Sequence, residues 1–183
     1  MFKRRLNPVI FLDKRKFKVQ EEKNKTIYLS KEIKIKDFKK IIISWNIVTP
    51  VDSYVDIEAR VLVNNNLKEK IWSKWLSWGR WGTNIKRASN SSNCTEAKIN
   101  VDTLTINEGY IGEAIQIKIS SYYDDKESKA DLQLVVITYC GEKINNKNGK
   151  EKLINKLIET PCISQMKREA EIANRICSPT SMT

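Results

Sequence analysis

Between Tyr54 and Val63 every second residue is apolar: Val55, Ile57, Ala59, Val61 and Val63 share one parity, and Tyr54, Asp56, Glu58, Arg60 and Leu62 share the other. A period of two puts successive side chains on opposite faces, so this segment is a half-buried strand. The same rhythm recurs. Ile41, Ile43, Trp45 and Ile47 fall on one face. Later groups are Ala97, Ile99 and Val101, then Ile115, Ile117 and Ile119, then Leu132, Leu134 and Val136. Polar, turn-prone stretches separate them, among them Thr49-Pro50, Asn64-Asn65-Asn66, Asn107-Glu108-Gly109 and Asp124-Asp125-Lys126. No helical period interrupts residues 26–140. Short strands with polar turns predict a mainly β fold, an antiparallel β-sandwich of jelly-roll or Ig-like type.

Charge divides the chain differently. Residues 1–40 hold 14 Lys/Arg against 5 Asp/Glu, whereas residues 41–140 hold 11 against 12 and residues 141–183 hold 8 against 5. The excess of basic residues therefore sits in front of the β pattern. Residues 1–24 are expected to form a basic, disordered leader, because dense charge with little periodic apolar content leaves ordering entropy unopposed. Such an arm can meet nucleic acid or an anionic surface, but a solvated leader suffices, and no specific nucleic-acid partner is expected. Residues 25–140 form the β-domain, 141–152 a polar linker, and 153–183 a further segment. The apolar run Val9-Ile10-Phe11-Leu12 ends at Asp13, too short for a signal peptide core. No run approaches a membrane span. A cytoplasmic location with reduced thiols is the resulting expectation.

The four cysteines, Cys94, Cys140, Cys162 and Cys177, have no paired spacing, and histidine is absent. A Cys-His dyad cannot be completed within the chain, nor can a His-ligated zinc site. Asp124, Asp125 and Glu127 could touch calcium, but they read more simply as a solvated hairpin tip. No cofactor or metal is expected.

The end of the chain carries the most chemistry. Pro161-Cys162-Ile163-Ser164-Gln165 precedes Cys177-Ser178-Pro179-Thr180-Ser181-Met182-Thr183. This arrangement resembles the start of papain-like cysteine peptidases of the bacteriocin-leader-processing, double-glycine type. There an apolar strand delivers a glutamine, and a cysteine opens the central helix in a Cys-Gly-Pro-like motif. The resemblance implies that Cys177 is the nucleophile and that Gln165 helps bind the oxyanion. It also implies that the chain stops a few residues after the nucleophile, with the histidine base beyond it, so that the fragment is inactive. Ser178 stands where the family has glycine, and the interval from Gln165 to Cys177 is longer than the family's. The alternative is a buried cysteine at an ordinary helix start. A second resemblance runs through Ser44-Trp45-Asn46, Thr49-Pro50, Val55 to Arg60, Trp72-Ser73-Lys74-Trp75, Gly79-Arg80-Trp81-Gly82 and Val101-Asp102-Thr103-Leu104. It is similar to the β-rich domain that precedes the peptidase domain in the same family.

Trp72, Trp75, Trp78 and Trp81 recur at every third position, so on a regular strand they alternate faces. Two in the core and two covering a sheet edge is the simpler reading. The alternative is an exposed platform with Arg80 for a cell-wall glycan or a peptide, which would make the chain a non-catalytic binding module. For the peptidase reading the partner is a peptide or protein substrate.

Overall fold

The computed structural model describes residues 9–65, 67, 69–86 and 90–141. They all fall in the first of the chain's two units, Met1–Ile144. Among the described residues twelve strands follow one another: β1 Val9–Asp13, β2 Phe17–Glu22, β3 Lys25–Ser30, β4 Ile33–Val48, β5 Ser53–Asn65, β6 Lys70–Trp72, β7 Leu76–Trp81, β8 Ser91–Asn93, β9 Ala97–Asn100, β10 Thr103–Ile106, β11 Tyr110–Tyr123 and β12 Asp131–Gly141. All the pairings are antiparallel. Among the described residues there is no α-helix, only a 3-10 turn at Lys14–Lys16.

Strand β4 organises the sheet by belonging to two groups of strands. Its first part, Ile33 to Phe38, pairs with β11, which also pairs with β3 and β5; β2 extends the group beyond β3, and β6 and β7 extend it beyond β5. From Phe38 onward β4 pairs with β12, and at Lys40 to Ile42 it also pairs with β10. The second group continues through β9 to β8 on one side and from β12 to β1 on the other. The change of partner coincides with Asp37, whose φ is 52°, and with register shifts on both neighbours, between Gly112 and Ala114 and between Cys140 and Gly141. A left-handed residue and the bulges beside it re-aim the strand.

The periodicity then translates into burial. Val55, Ile57, Ala59, Val61 and Val63 are buried, as are Ile115, Ile117 and Ile119 on β11 and Ile41 and Ile43 on β4. Trp45 and Ile47 are half-buried against the same core, to which both strand groups contribute. At two places the alternation misleads. Val101 does not join Ala97 and Ile99 in the core. It occupies the tight turn between β9 and β10 at φ 59° and is 53% exposed. Here Asn90 accepts the Val101 backbone N–H at its carbonyl (3.1 Å), and the Trp78 indole donates to the Asp102 carbonyl (3.1 Å). On β12 a register shift between Leu132 and Leu134 changes the parity. Leu132, Val135 and Ile137 are buried, and Leu134 and Val136 are only half-buried.

The leader is also corrected. Residues 9–13 pair with β12 and residues 17–22 pair with β3, so the ordered sheet begins well before residue 25. Leu12 and Phe17 are both buried and part of the core. The surrounding charges mask this because an edge strand needs few apolar anchors, while its backbone bonds and solvated side chains carry no periodic signal. Lys14 is held by Asp131 at 2.9 Å, an exposed pair worth at most about 1 kcal/mol. The buried side chains dominate. Leu12→Ala is expected to lower unfolding free energy by about 2–3 kcal/mol, at the lower part of the range for buried leucines because the site is at an edge. Urea denaturation measures it, and an unchanged midpoint would show that β1 contributes nothing to the core.

Candidate functional site

Opposite its buried face, β5 presents Tyr54, Asp56, Glu58, Arg60 and Leu62, each half-buried. The register with β11 sets Tyr122 beside Tyr54, Ser120 beside Asp56, Lys118 beside Glu58 and Gln116 beside Arg60. Directly opposed residues on one face lie close enough to interact, and here they do. The Tyr54 and Tyr122 rings stack with centroids 4.9 Å apart. Lys25 lies 5.1 Å above Tyr122, and Arg80 lies 4.9 Å above Tyr54 with its Nε 3.6 Å from Asp56. Lys118 binds Glu58 at 2.7 Å. Arg60 donates to the Gln116 side-chain oxygen at 2.9 Å, and Gln116 in turn donates to the Ser30 carbonyl at 2.9 Å.

The tryptophans complete this strip. Arg60 stands 4.8 Å from the Trp72 ring and 5.0 Å from the Trp75 ring, and Lys118 stands 4.5 Å from Trp75. Cations over indole faces gain about 0.5–2 kcal/mol each, more as water is excluded. Trp78 is buried, and Trp81 packs against the core and meets Trp45 edge-on at 5.9 Å. Trp72 and Trp75 therefore already have cationic neighbours over their rings, while Trp78 and Trp81 serve the interior. Trp78→Ala is expected to cost about 3–5 kcal/mol, and Trp75→Ala about 1–2 kcal/mol through the lost cation contacts. Equal losses in thermal melts would contradict this division.

Burial pushes the Asp56 carboxyl above the usual carboxylate range, although the Arg80 guanidinium acts to lower it. A carboxyl raised in this way holds its proton more tightly folded than unfolded. Its contribution to stability is present at low pH and is lost as pH rises through its folded pKa. Asp56→Asn is therefore expected to melt at or above the parent's temperature at neutral pH, with the difference shrinking as pH falls below the ordinary 3.8. A lower melting temperature at neutral pH would show that the contact with Arg80 outweighs the burial.

The sequence-predicted catalytic residues, Cys177 and Gln165, lie outside the described residues, as do the proposed linker from residue 142 onward and the 153–183 segment. Of the other cysteines, Cys94 and Cys140 are free and half-buried. The Cys94 thiol donates to the Ala97 carbonyl at 3.3 Å, and burial raises its pKa, which is the opposite of an activated thiol. The acidic tip does what a hairpin tip does: Asp125 accepts the backbone N–H groups of Glu127 (2.9 Å) and Ser128 (2.8 Å). Among the described residues no group of three or more His, Cys, Asp or Glu is arranged to hold a metal ion.

The cation and tyrosine contacts of the outer face were not foreseen. A signal existed in the intervening set Tyr54, Asp56, Glu58 and Arg60, but its partners on β3, β7 and β11 depend on register.

The described part of the molecule is thus an antiparallel, mainly β domain with a closed polar and aromatic outer strip. A family model described as the Peptidase C39 N-terminal domain matches residues 17–138, from the start of β2 into β12. The chain belongs to this family. No curated protein and no solved structure matches it.

Proposed function

We propose that this chain is the N-terminal portion of a papain-like cysteine peptidase of the double-glycine-cleaving type, its β-domain preceding a peptidase domain that opens within residues 153–183. The observation that carries the reading is the family match over residues 17–138. The Cys177-Ser178-Pro179 motif downstream supports it. In this reading Cys177 attacks the scissile carbonyl as a thiolate. A helix N-terminus offers it partial positive charge and spare N–H groups. The Gln165 amide and the Cys177 backbone N–H stabilise the tetrahedral oxyanion. The chain contains no histidine, so the general base comes from residues beyond these 183, and this portion alone is inactive. The substrate is a peptide or protein, cleaved in the cytoplasm.

The β-domain in this reading is a sandwich whose two strand groups cover each other's apolar faces. Their shared core supports that arrangement. The cations already seated on Trp72 and Trp75 favour a structural role for those rings over a free glycan platform. The test is cleavage of a peptide library by the full-length protein and its Cys177→Ala variant, with iodoacetamide labelling across pH.

A further inference from the structure

The first strand is held by little. Among the described residues β1 pairs with β12 alone, along Val9–Asp13. Of its side chains only Leu12 is buried; Val9 and Phe11 are 45% and 65% exposed. The contact from Lys14 to Asp131 behind it is an exposed pair. β2 is fixed more firmly. It pairs with β3 from Phe17 to Glu22, Phe17 is buried, and Lys129 binds Glu21. Between the two strands lies the single 3-10 turn Lys14–Lys16, capped by Asp13, which accepts the Arg15 backbone N–H at 2.9 Å. This turn carries the chain from the strand group of β12 to the strand group of β3.

What β1 covers is itself a strand edge. It lies against Leu134–Thr138 of β12, a run in which Leu134, Val135, Val136 and Ile137 are apolar. Were β1 to leave, β12 would have unpaired N–H and C=O groups along that side, and the core would lack Leu12. The segment that fits this edge in register, in backbone bonds and in the core is the strand already seen on it, and every copy of the chain carries one.

We propose that β1 is an exchangeable strand, which leaves its own β12 by extension of the Lys14–Lys16 turn and completes the β12 of a second copy, while that copy returns its own β1. An extended residue spans about 3.3 Å, so residues 13–16 reach about 13 Å as a hinge. The exchanged pair keeps the β1–β12 register, the buried Leu12 and the contact of Lys14 with Asp131. It gives up only the turn, which makes exchange a low-cost route to a symmetric dimer. Val9, Phe11 and, across Thr138, Ile42 form an exposed apolar strip beside this edge, and a second copy held there has it to cover. The proposal rests on this strand and not on the peptidase reading, so failure of either leaves the other standing.

The test locks the strand. Phe11 and Val136 are directly opposed, and opposed Cα atoms on antiparallel strands are about 4.5–5.5 Å apart, within disulfide range. The full chain carrying Phe11→Cys and Val136→Cys is oxidised while dilute, and peptide mapping confirms the bond. In sedimentation the parent chain is expected to form a dimer as its concentration rises. The locked chain should form none, and reduction should restore the dimer. Oxidised only after concentration, the double variant should run on a non-reducing gel as two linked chains, joined from residue 11 of one to residue 136 of the other. In the unsubstituted protein, amides of β1 bonded to β12 should exchange hydrogen about tenfold or more faster than those of β11, the sign of a strand that opens by itself. A dimer that persists in the locked chain, a bond that closes only within single chains at every concentration, or equal protection of β1 and β11 would each overturn the proposal. So would the absence of any dimer at the highest concentration reached.

Discussion

Cys177→Ala in the full-length protein is expected to abolish peptide cleavage, the largest effect any single substitution here should have. In the proposed reading the Cys177 sulfur forms the covalent intermediate, so its removal removes the nucleophile. In the same reading the thiolate is the reactive species, and a helix terminus and a histidine partner would depress the thiol pKa. Iodoacetamide should then label Cys177 near neutral pH, well below the range in which Cys94 reacts. Cys94 is the internal reference because burial raises its pKa and its thiol is spent on the Ala97 carbonyl. Gln165→Ala should lower turnover by roughly a hundredfold or more with little change in alkylation, the pattern of a lost oxyanion donor. The 183-residue chain by itself should cleave nothing, for want of any histidine. Undiminished cleavage by the Cys177→Ala protein would remove the nucleophile assignment and leave the β-domain as a family member without this chemistry.

Phe38→Ala should be among the most damaging changes to the fold, at about 3–5 kcal/mol for a buried aromatic. Phe38 is fully buried at the place where β4 leaves β11 for β12. Its ring fills the space above Gly112, where a Cβ would come within 2.6 Å of ring atoms. Gly112→Ala should therefore also destabilise, by about 1–3 kcal/mol, because a packed ring has no flexible end to move aside. The two effects are coupled. In the double variant with Phe38→Leu, the alanine should cost measurably less than it does beneath phenylalanine. Chemical denaturation of the four proteins closes the cycle, and strict additivity would show that ring and glycine do not compete for the same space.

These expectations differ in how much of them the amino-acid order carries. On β5 and β11 it carries nearly everything. A period of two, held for the length of a strand, fixes which side chains face inward, and Val55 to Val63 and Ile115 to Ile119 are buried accordingly. The proposed roles of Cys177 and Gln165 are legible only through resemblance, since a lone cysteine has many ordinary explanations. What the chain order could not supply is where the period breaks. Asp37 at positive φ, the bulges on β11 and β12, and Val101 in a tight turn each change parity, and a change of parity moves every later side chain to the other face. The strands Val9–Asp13 and Phe17–Glu22 were hidden for a related reason: edge strands anchored by Leu12 and Phe17 look charged and aperiodic when read alone. The outer strip of Arg60, Lys118, Trp72 and Trp75 draws on β5, β6, β11 and the turn before β7. Local alternation determines the two faces of each strand. Which strands meet, and in what register, is set by long-range pairing and core packing, and only the tertiary structure decides it.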